Sequence, residues 1–201
     1  MAQQCIETDQ GGELTLAIAY LFPRQGEWTE TDYFSLPETN RIVELSKGRL
    51  IIIPSQTNQH QKISGNLVIQ FGNYLKLHNT GRFIIGPLNV RLYEETIRQP
   101  DIIFMSNEHK DRIGDTFWGV PDLVVEILSE GTAKVDKEDK YLEYQKAGVL
   151  EYWIVDPFKQ KIIVHVLERG VYKIFGKWDT GEIANSKLLV GFKVSVDEIM
   201  A

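Results

Sequence analysis

The chain is poor in cysteine, with one residue, Cys5, among its 201. A single cysteine excludes a disulfide framework within the chain and a zinc site built on cysteine ligands. Because structural disulfides accumulate in oxidising compartments, a reducing cytoplasm is the simplest expectation for this protein.

Long hydrophobic runs are missing as well. The longest near the start, Leu14–Phe22, is much shorter than the roughly 20 apolar residues that a membrane-spanning helix needs. No basic segment precedes this run and no small-residue cleavage site follows it, so we expect neither a signal peptide nor a membrane partner.

The chain has fewer basic than acidic residues. The chain has 22 lysines and arginines against 28 aspartates and glutamates, which gives a net charge of −6. A protein that binds nucleic acid through a broad surface usually has the opposite balance. The composition therefore argues against a large basic face, although a local basic channel remains compatible with it.

Several short motifs of catalysis are also absent. The sequence has no GxGxxG or GxxxxGK[ST] loop, no HExxH pair and no GxSxG elbow. Their absence removes the straightforward nucleotide-binding, zinc-protease and serine-hydrolase interpretations.

The remaining composition is that of an ordinary globular protein, 43% hydrophobic and 25% charged. We expect an N-terminal extension over residues 1–30 and one domain over residues 31–201. A helix is predicted from Asn58 to His78, ending near Gly81, because apolar residues recur at four-residue steps. A second helix is predicted to end at Gly148. Strands are predicted in "RIVELSKGRLIIIP" (a hairpin), "RFIIGPLNVRLY", "IRQPDIIFM", "PDLVVEIL", "LEYWIVD", "KIIVHVLE", "VYKIF" and "KLLVGFKVSV".

This order of elements predicts an α/β domain with a central mixed β-sheet flanked by helices. The run "PDLVVEILS" is apolar on both faces, as in a strand covered on both sides. Glu126 interrupts it, and a buried carboxylate must be neutralised, paired or bound to a cation. A structural ion pair and a metal site both satisfy that requirement.

A partner for Glu126 can be sought among the nearby aspartates. Asp122 lies four residues earlier, or about 13 Å along a strand, which is too far to share one ion. Asp101 begins another apolar strand, and facing side chains of neighbouring strands lie about 5 Å apart. Two carboxylates so close repel each other unless a proton or a cation such as Mg²⁺ lies between them. Taken alone, Asp101 is equally compatible with a turn at the start of a strand.

Three further residues are candidates for the same site. Lys140 lies on the helix that follows the Glu126 strand, although that helix is charged and a solvated lysine is the simpler interpretation. His60 lies near the start of the 58–78 helix, where anions are favoured but a structural histidine is common. Glu44 lies between apolar residues of the hairpin and could face either the cleft or the solvent.

These segments resemble the Uma family, which belongs to the PD-(D/E)XK superfamily of nucleases and restriction endonucleases. The similarity runs from "YFSLPETNRIVELSKGRLIIIPSQTNQHQKI" through "GPLNVRLY" and "RQPDIIFMS". It is most specific in "PDLVVEILSEGTAKVDKEDKYLEYQKAGVLEYWIVDP" and covers about residues 32–170.

The resemblance implies a restriction-endonuclease-like core and metal-dependent hydrolysis of DNA phosphodiester bonds. Asp101 matches the first acidic position of the superfamily and Glu126 the second, so both are expected to bind Mg²⁺, with Mn²⁺ as a substitute. The usual lysine position falls on Leu128, and Lys140 from the next helix takes its place in this family. Glu44 and His60 match further family positions.

Two classes of function follow. The first is a Mg²⁺-dependent DNA endonuclease, expected as a homodimer because a two-fold pair suits the cutting of both strands. The second is a weak or inactive nuclease fold that serves as a binding or assembly module, which the missing motif lysine and the net charge favour. RNA and branched or damaged DNA remain alternative substrates.

Overall fold

A computed structural model describes residues 22–37, 40–129 and 136–201 of the protein. The expected N-terminal extension therefore lies mostly outside the described residues, as do Cys5 and all of the apolar run over residues 14–22 except Phe22. No helix in the described ranges is long and apolar enough to cross a membrane.

Four α-helices and twelve strands are formed by the described residues. The helices are α1 (Glu30–Phe34), α2 (Asn58–His78), α3 (Tyr141–Ala147) and α4 (Val196–Met200), with a 3₁₀ helix at Asn107–Arg112 and a π-helical turn at Asp136–Lys140. The strands are β1 (Ile42–Ser46), β2 (Arg49–Ile53), β3 (Gly81–Ile85), β4 (Val90–Tyr93), β5 (Thr96–Arg98), β6 (Ile102–Ser106), β7 (Leu123–Ile127), β8 (Glu151–Asp156), β9 (Lys161–Glu168), β10 (Val171–Asp179), β11 (Ile183–Asn185) and β12 (Lys193–Ser195).

The strands form a central six-stranded sheet in the order β10-β9-β8-β7-β6-β3 and a four-stranded sheet in the order β2-β1-β5-β4. In the six-stranded sheet, β7 and β8 are parallel and the other pairs are antiparallel. The mixed α/β architecture is thus the expected one. β11 and β12 form a separate two-stranded sheet.

The central strands are covered on both faces, as the apolar sequence of β7 predicts. All residues of β7 and β8 are buried. One face packs against α2 and the C-terminal segment through Ile63, Leu67 and Phe71. The other face packs against α3, where Tyr144 belongs to the buried cluster.

Two of the segments predicted as single strands are each divided between the two sheets. "RFIIGPLNVRLY" breaks at the cis Gly86–Pro87 peptide into β3 and β4, and "IRQPDIIFM" breaks into β5 and β6. Gly86 donates its N–H to the carbonyl of Asp101 at 2.8 Å. A Cβ on Gly86 would come within 2.5 Å of the Pro100 carbonyl, so only glycine allows this approach.

Helix α2 spans Asn58–His78 as predicted, and at its start the Thr57 side chain accepts a hydrogen bond from the His60 N–H. Its C-cap is Asn79, whereas Gly81 was the expected stop. Asn79 takes the left-handed conformation that glycine often supplies at a helix end. The C-terminal run "KLLVGFKVSV" contributes only the three residues of β12 before α4 begins.

Replacing Phe71 with alanine tests the packing of α2 on the sheet. Phe71 is fully buried and its ring centroid lies 4.5 Å from that of Phe192. We expect the free energy of unfolding to fall by about 3–5 kcal/mol in urea denaturation, because a large cavity is left. Ile69→Ala on the exposed face of the same helix should change it by at most about 0.5 kcal/mol. Equal losses would contradict the assignment of the buried face.

Candidate active site

Strand pairing places Asp101 and Glu126 opposite each other. β6 and β7 are antiparallel, with Ile102 paired to Val125 and Ile103 to Val124. Asp101 directly precedes Ile102 and Glu126 directly follows Val125, so the same register sets the two acidic residues across from each other. Opposed side chains on neighbouring strands share a face of the sheet.

Asp101 is held by contacts from three parts of the chain. Its Oδ2 accepts a hydrogen bond of 2.7 Å from the Ile127 N–H and lies 3.1 Å from His60 Nε2. Its Oδ1 accepts a 3.0 Å hydrogen bond from Gln56 Nε2. His60, on the first turn of α2, therefore belongs to the site through its contact with Asp101.

Glu126 is buried and paired with Lys140. Its Oε1 accepts a hydrogen bond of 2.9 Å from Lys140 Nζ and one of 2.6 Å from the Tyr144 hydroxyl. Burial raises the pKa of Tyr144 well above its ordinary value, and the negative charge of Glu126 raises it further. Tyr144 consequently keeps its proton and remains a hydrogen-bond donor to Glu126.

Lys140 is a buried residue rather than a solvated one, with 4% of its side chain exposed. It lies at the junction between the π-helical turn and α3, one helical turn before Tyr144. Its Nζ is also 3.3 Å from Glu44 Oε1, so the ammonium group bridges two carboxylates. The charges of the two carboxylates compensate the cost of burying the ammonium group.

Glu44 faces the site and not the solvent, because its side chain is fully buried. It accepts hydrogen bonds from Arg98 Nη1 at 2.8 Å and from the Gln99 N–H at 2.9 Å. Burial alone would raise its pKa, but the positive charges of Lys140 and Arg98 outweigh burial and lower it. Glu44 is therefore ionised at neutral pH.

Arg98 and Glu143 extend this charge network, and sequence reasoning did not identify either residue. Arg98 is fully buried on β5 and donates from Nε to Glu143 Oε2 at 2.7 Å. Burial alone would lower the pKa of Arg98, but the charges of Glu44 and Glu143 raise it. Ser46 donates its hydroxyl to Glu143 Oε1 at 2.6 Å. The only signal in the sequence was an arginine at the end of a short strand, three residues before Asp101.

Leu128 occupies the position where the superfamily has its lysine, and it is buried in the apolar cluster that also contains Tyr144. Lys140 reaches Glu126 instead, from the end of the π-helical turn that precedes α3. Asp122, the acidic residue of the second Pro-Asp pair, lies beyond the opposite end of β7. It contacts His109 Nδ1 at 2.6 Å and accepts a hydrogen bond from the Ser106 N–H at 2.7 Å. Asp122 thus takes no part in the site.

The five residues singled out in the sequence converge on one small polar cavity of about 30 Å³. Its lining includes Glu44, His60, Asp101, Glu126 and Lys140. Nothing in the sequence required the hairpin, both helices and the two central strands to meet there. The convergence places all five side chains at one site.

Asp101 and Glu126 supply the oxygen ligands that Mg²⁺ prefers, and Mg²⁺ commonly takes one or two carboxylates with water and phosphate as its other ligands. The described residues contain no group of three acidic, histidine or cysteine side chains arranged around a metal position. His60 Nδ1 is buried without a hydrogen-bond partner among the described residues. The residues present fit a cation held by two carboxylates.

The mixed α/β fold is nuclease-like, of the restriction-endonuclease type. A family model described as "Uma2: Putative restriction endonuclease" matches residues 31–197, and the chain belongs to this family. No curated protein matches the chain.

The structure is also similar to the crystal structure of "a putative nuclease belonging to DUF820" from Anabaena variabilis. The two chains are 21% identical, the match covers 86% of this chain and 97% of that one, and the TM-score is 0.73. At this level of identity the likeness shows a shared fold.

Replacing Arg98 with methionine tests the buried network. The change leaves Glu44 and Glu143 buried with one cation fewer, and we expect a loss of about 3–5 kcal/mol in the free energy of unfolding at neutral pH. A carboxyl group whose pKa is lowered by folding stabilises the folded state at every pH above its ordinary pKa. This stabilisation is lost as the pH falls through the lowered pKa. The difference between parent and variant should therefore shrink below about pH 4.

Arg91→Met is the matched control for this change. Arg91 pairs with Glu30 at 2.9 Å, but 44% of its side chain is exposed. An exposed pair contributes at most about 1 kcal/mol, so this variant should unfold nearly like the parent in urea. An Arg98→Met loss no greater than that of Arg91→Met would show that the network does not stabilise the fold.

Proposed function

We propose that this protein is a metal-dependent endonuclease that hydrolyses phosphodiester bonds of DNA. The observation that carries the proposal is the Lys140–Glu126 contact of 2.9 Å beside Asp101. It supplies two acidic residues and one lysine in a single buried site, although Leu128 stands at the usual lysine position. Membership of the family of putative restriction endonucleases supports the same reaction.

In the proposed reaction, a water oxygen attacks the phosphorus atom and the bond from phosphorus to the leaving oxygen breaks. Asp101 and Glu126 would hold the cation. A bound Mg²⁺ or Mn²⁺ supplies positive charge that polarises a phosphoryl oxygen and lowers the pKa of bound water. Lys140 can orient the attacking water or stabilise the negative charge that grows on the phosphoryl group.

The surrounding residues hold Asp101, Glu126 and Lys140 in position. His60 fixes the carboxylate of Asp101, and the Tyr144 hydroxyl fixes that of Glu126. Glu44 shares the ammonium group of Lys140 and keeps it inside the cavity. A rigid arrangement of this kind reduces the reorganisation that the site needs when the phosphate arrives.

Cleavage of both strands of a duplex would suit a homodimer, since a two-fold pair presents one site to each strand. We propose that assembly, and a cytoplasmic location consistent with the single cysteine, as parts of the same function.

Asp101→Asn and Glu126→Gln remove one charge each and nearly preserve shape. We expect DNA cleavage to fall by about 10²-fold or more in a plasmid-nicking assay with Mg²⁺ and with Mn²⁺, because the cation loses a ligand. Asp122→Asn makes the same change in the second Pro-Asp pair, at the other end of β7, and should leave cleavage near the parent level. An Asp101 or Glu126 variant that cuts as well as the parent with both metals would refute the assignment.

An inactive binding module is the second candidate, and one observation favours it. The carboxylates of Asp101 and Glu126 already accept hydrogen bonds from protein donors. A cation must compete with these donors, so metal binding is the property that separates the two functions.

Calorimetric titration with Mn²⁺ distinguishes them. The endonuclease predicts saturable binding that Asp101→Asn weakens by about tenfold or more, since an ionised ligand is lost. Asp122→Asn should bind Mn²⁺ like the parent. Absence of saturable binding in the parent, or equal binding in the Asp101 variant, would support the inactive module instead.

A further inference from the structure

An open groove adjoins the candidate active site on the side of α1. We name it the aromatic groove, and it has a volume of about 550 Å³. Ile42 and Gln99 line both this groove and the small cavity of the active site. Gln99 also donates its backbone N–H to Glu44 at 2.9 Å, so this residue is part of the wall of the groove and of the wall of the active-site cavity. A strand whose phosphate lies in the cavity therefore has the groove directly beside it.

The apolar part of the groove offers an aromatic face. Phe34 is 39% exposed, although it is a large apolar residue. Its ring centroid lies 5.3 Å from that of Tyr33 and 5.8 Å from that of Phe117. These neighbours hold the Phe34 ring in place while part of it stays open to a ligand.

The polar part of the groove offers amide groups. The Tyr33 hydroxyl lies 2.8 Å from Asn89 Oδ1 and accepts a hydrogen bond of 3.1 Å from Gln99 Nε2. These contacts engage the oxygen of the Asn89 amide and the nitrogen of the Gln99 amide. Within the described ranges, Asn89 Nδ2 and Gln99 Oε1 make no hydrogen bond to protein, so a donor and an acceptor remain for a ligand.

An aromatic face combined with fixed amide groups is the chemistry that recognises an unstacked nucleobase. A base that is paired and stacked within a duplex does not present its face to such a ring, so an unpaired strand fits the groove better than a duplex. We propose that the aromatic groove holds a base of the DNA strand beside the scissile phosphate, and that the substrate is single-stranded or locally unpaired DNA. This inference rests on the proposed nuclease function.

Binding of a short fluorescein-labelled DNA single strand, measured by anisotropy in EDTA, tests the proposal without cleavage. The parent should bind the single strand about tenfold or more tightly than the matching duplex. Phe34→Ala should weaken single-strand binding by about tenfold, because one stacking contact is lost, and Phe34→Trp should restore it. Phe175→Ala on β10 is the matched control, since Phe175 is 38% exposed, and it should bind like the parent.

Three results would overturn the proposal: unchanged binding in Phe34→Ala, an equal loss in Phe175→Ala, or duplex bound as tightly as single strand. A Phe34→Ala variant that changes from dimer to monomer in light scattering, with DNA binding unaffected, would show that a second copy covers the groove. A cleavage assay with Mn²⁺ on the same strands tests the nuclease reaction separately from base binding by the groove. Single-strand binding that depends on Phe34 without cleavage would refute the nuclease reaction and leave the base-binding groove standing.

Discussion

The constraint on which the site depends is the burial of Glu126 in the middle of the central sheet. A carboxylate in that position must be compensated, and Lys140 and Tyr144 both bond to its Oε1. Bringing Lys140 into the interior in turn requires further negative charge, which Glu44 provides. Glu44 is then balanced by Arg98, whose second partner is Glu143. One buried charge thus organises the contact between the two larger sheets and α3, because breaking a buried pair is much more costly than breaking an exposed one.

In the proposed reaction, the same network would hold the site in its reactive arrangement. Lysine and carboxylate groups that are already fixed need little reorganisation when charge develops on a phosphoryl group. Asp101 stands apart from the network and is held by the backbone of Ile127 and by His60. The site thus has two parts. In the first, the charge of Glu126 is neutralised by Lys140; the second is the carboxylate of Asp101, opposite Glu126 at the neighbouring strand β6. Lys140 neutralises Glu126, and in the proposed reaction it is also the group that acts on the phosphate.

Sequence alone led to the mixed α/β fold and to the five residues of the site, and the reason is local. β7 is apolar on both faces, so the single charge at Glu126 was conspicuous. Asp101, at the head of another apolar strand, was its expected partner, and the family resemblance implied the same pair. The sequence could not reveal that Lys140 is buried, because its helix is rich in charge and burial depends on packing across the sheet. It also could not reveal Arg98, which has meaning only when Glu44 and Glu143 surround it. The breaks at Gly86–Pro87 and before Asp101 were missed although Gly86, Pro87 and Pro100 are typical turn residues, because a single proline is also compatible with the start or the edge of a strand.

We propose that Asp101 and Glu126 together hold a catalytic cation next to Lys140. A crystal soaked in Mn²⁺ and measured at the manganese absorption edge is the sharpest test of this proposal. An anomalous peak between the carboxylates of Asp101 and Glu126, with the Lys140 ammonium group nearby, is the expected result. A peak elsewhere in the protein, or none at saturating Mn²⁺, would contradict it and leave the buried charges with a structural role alone.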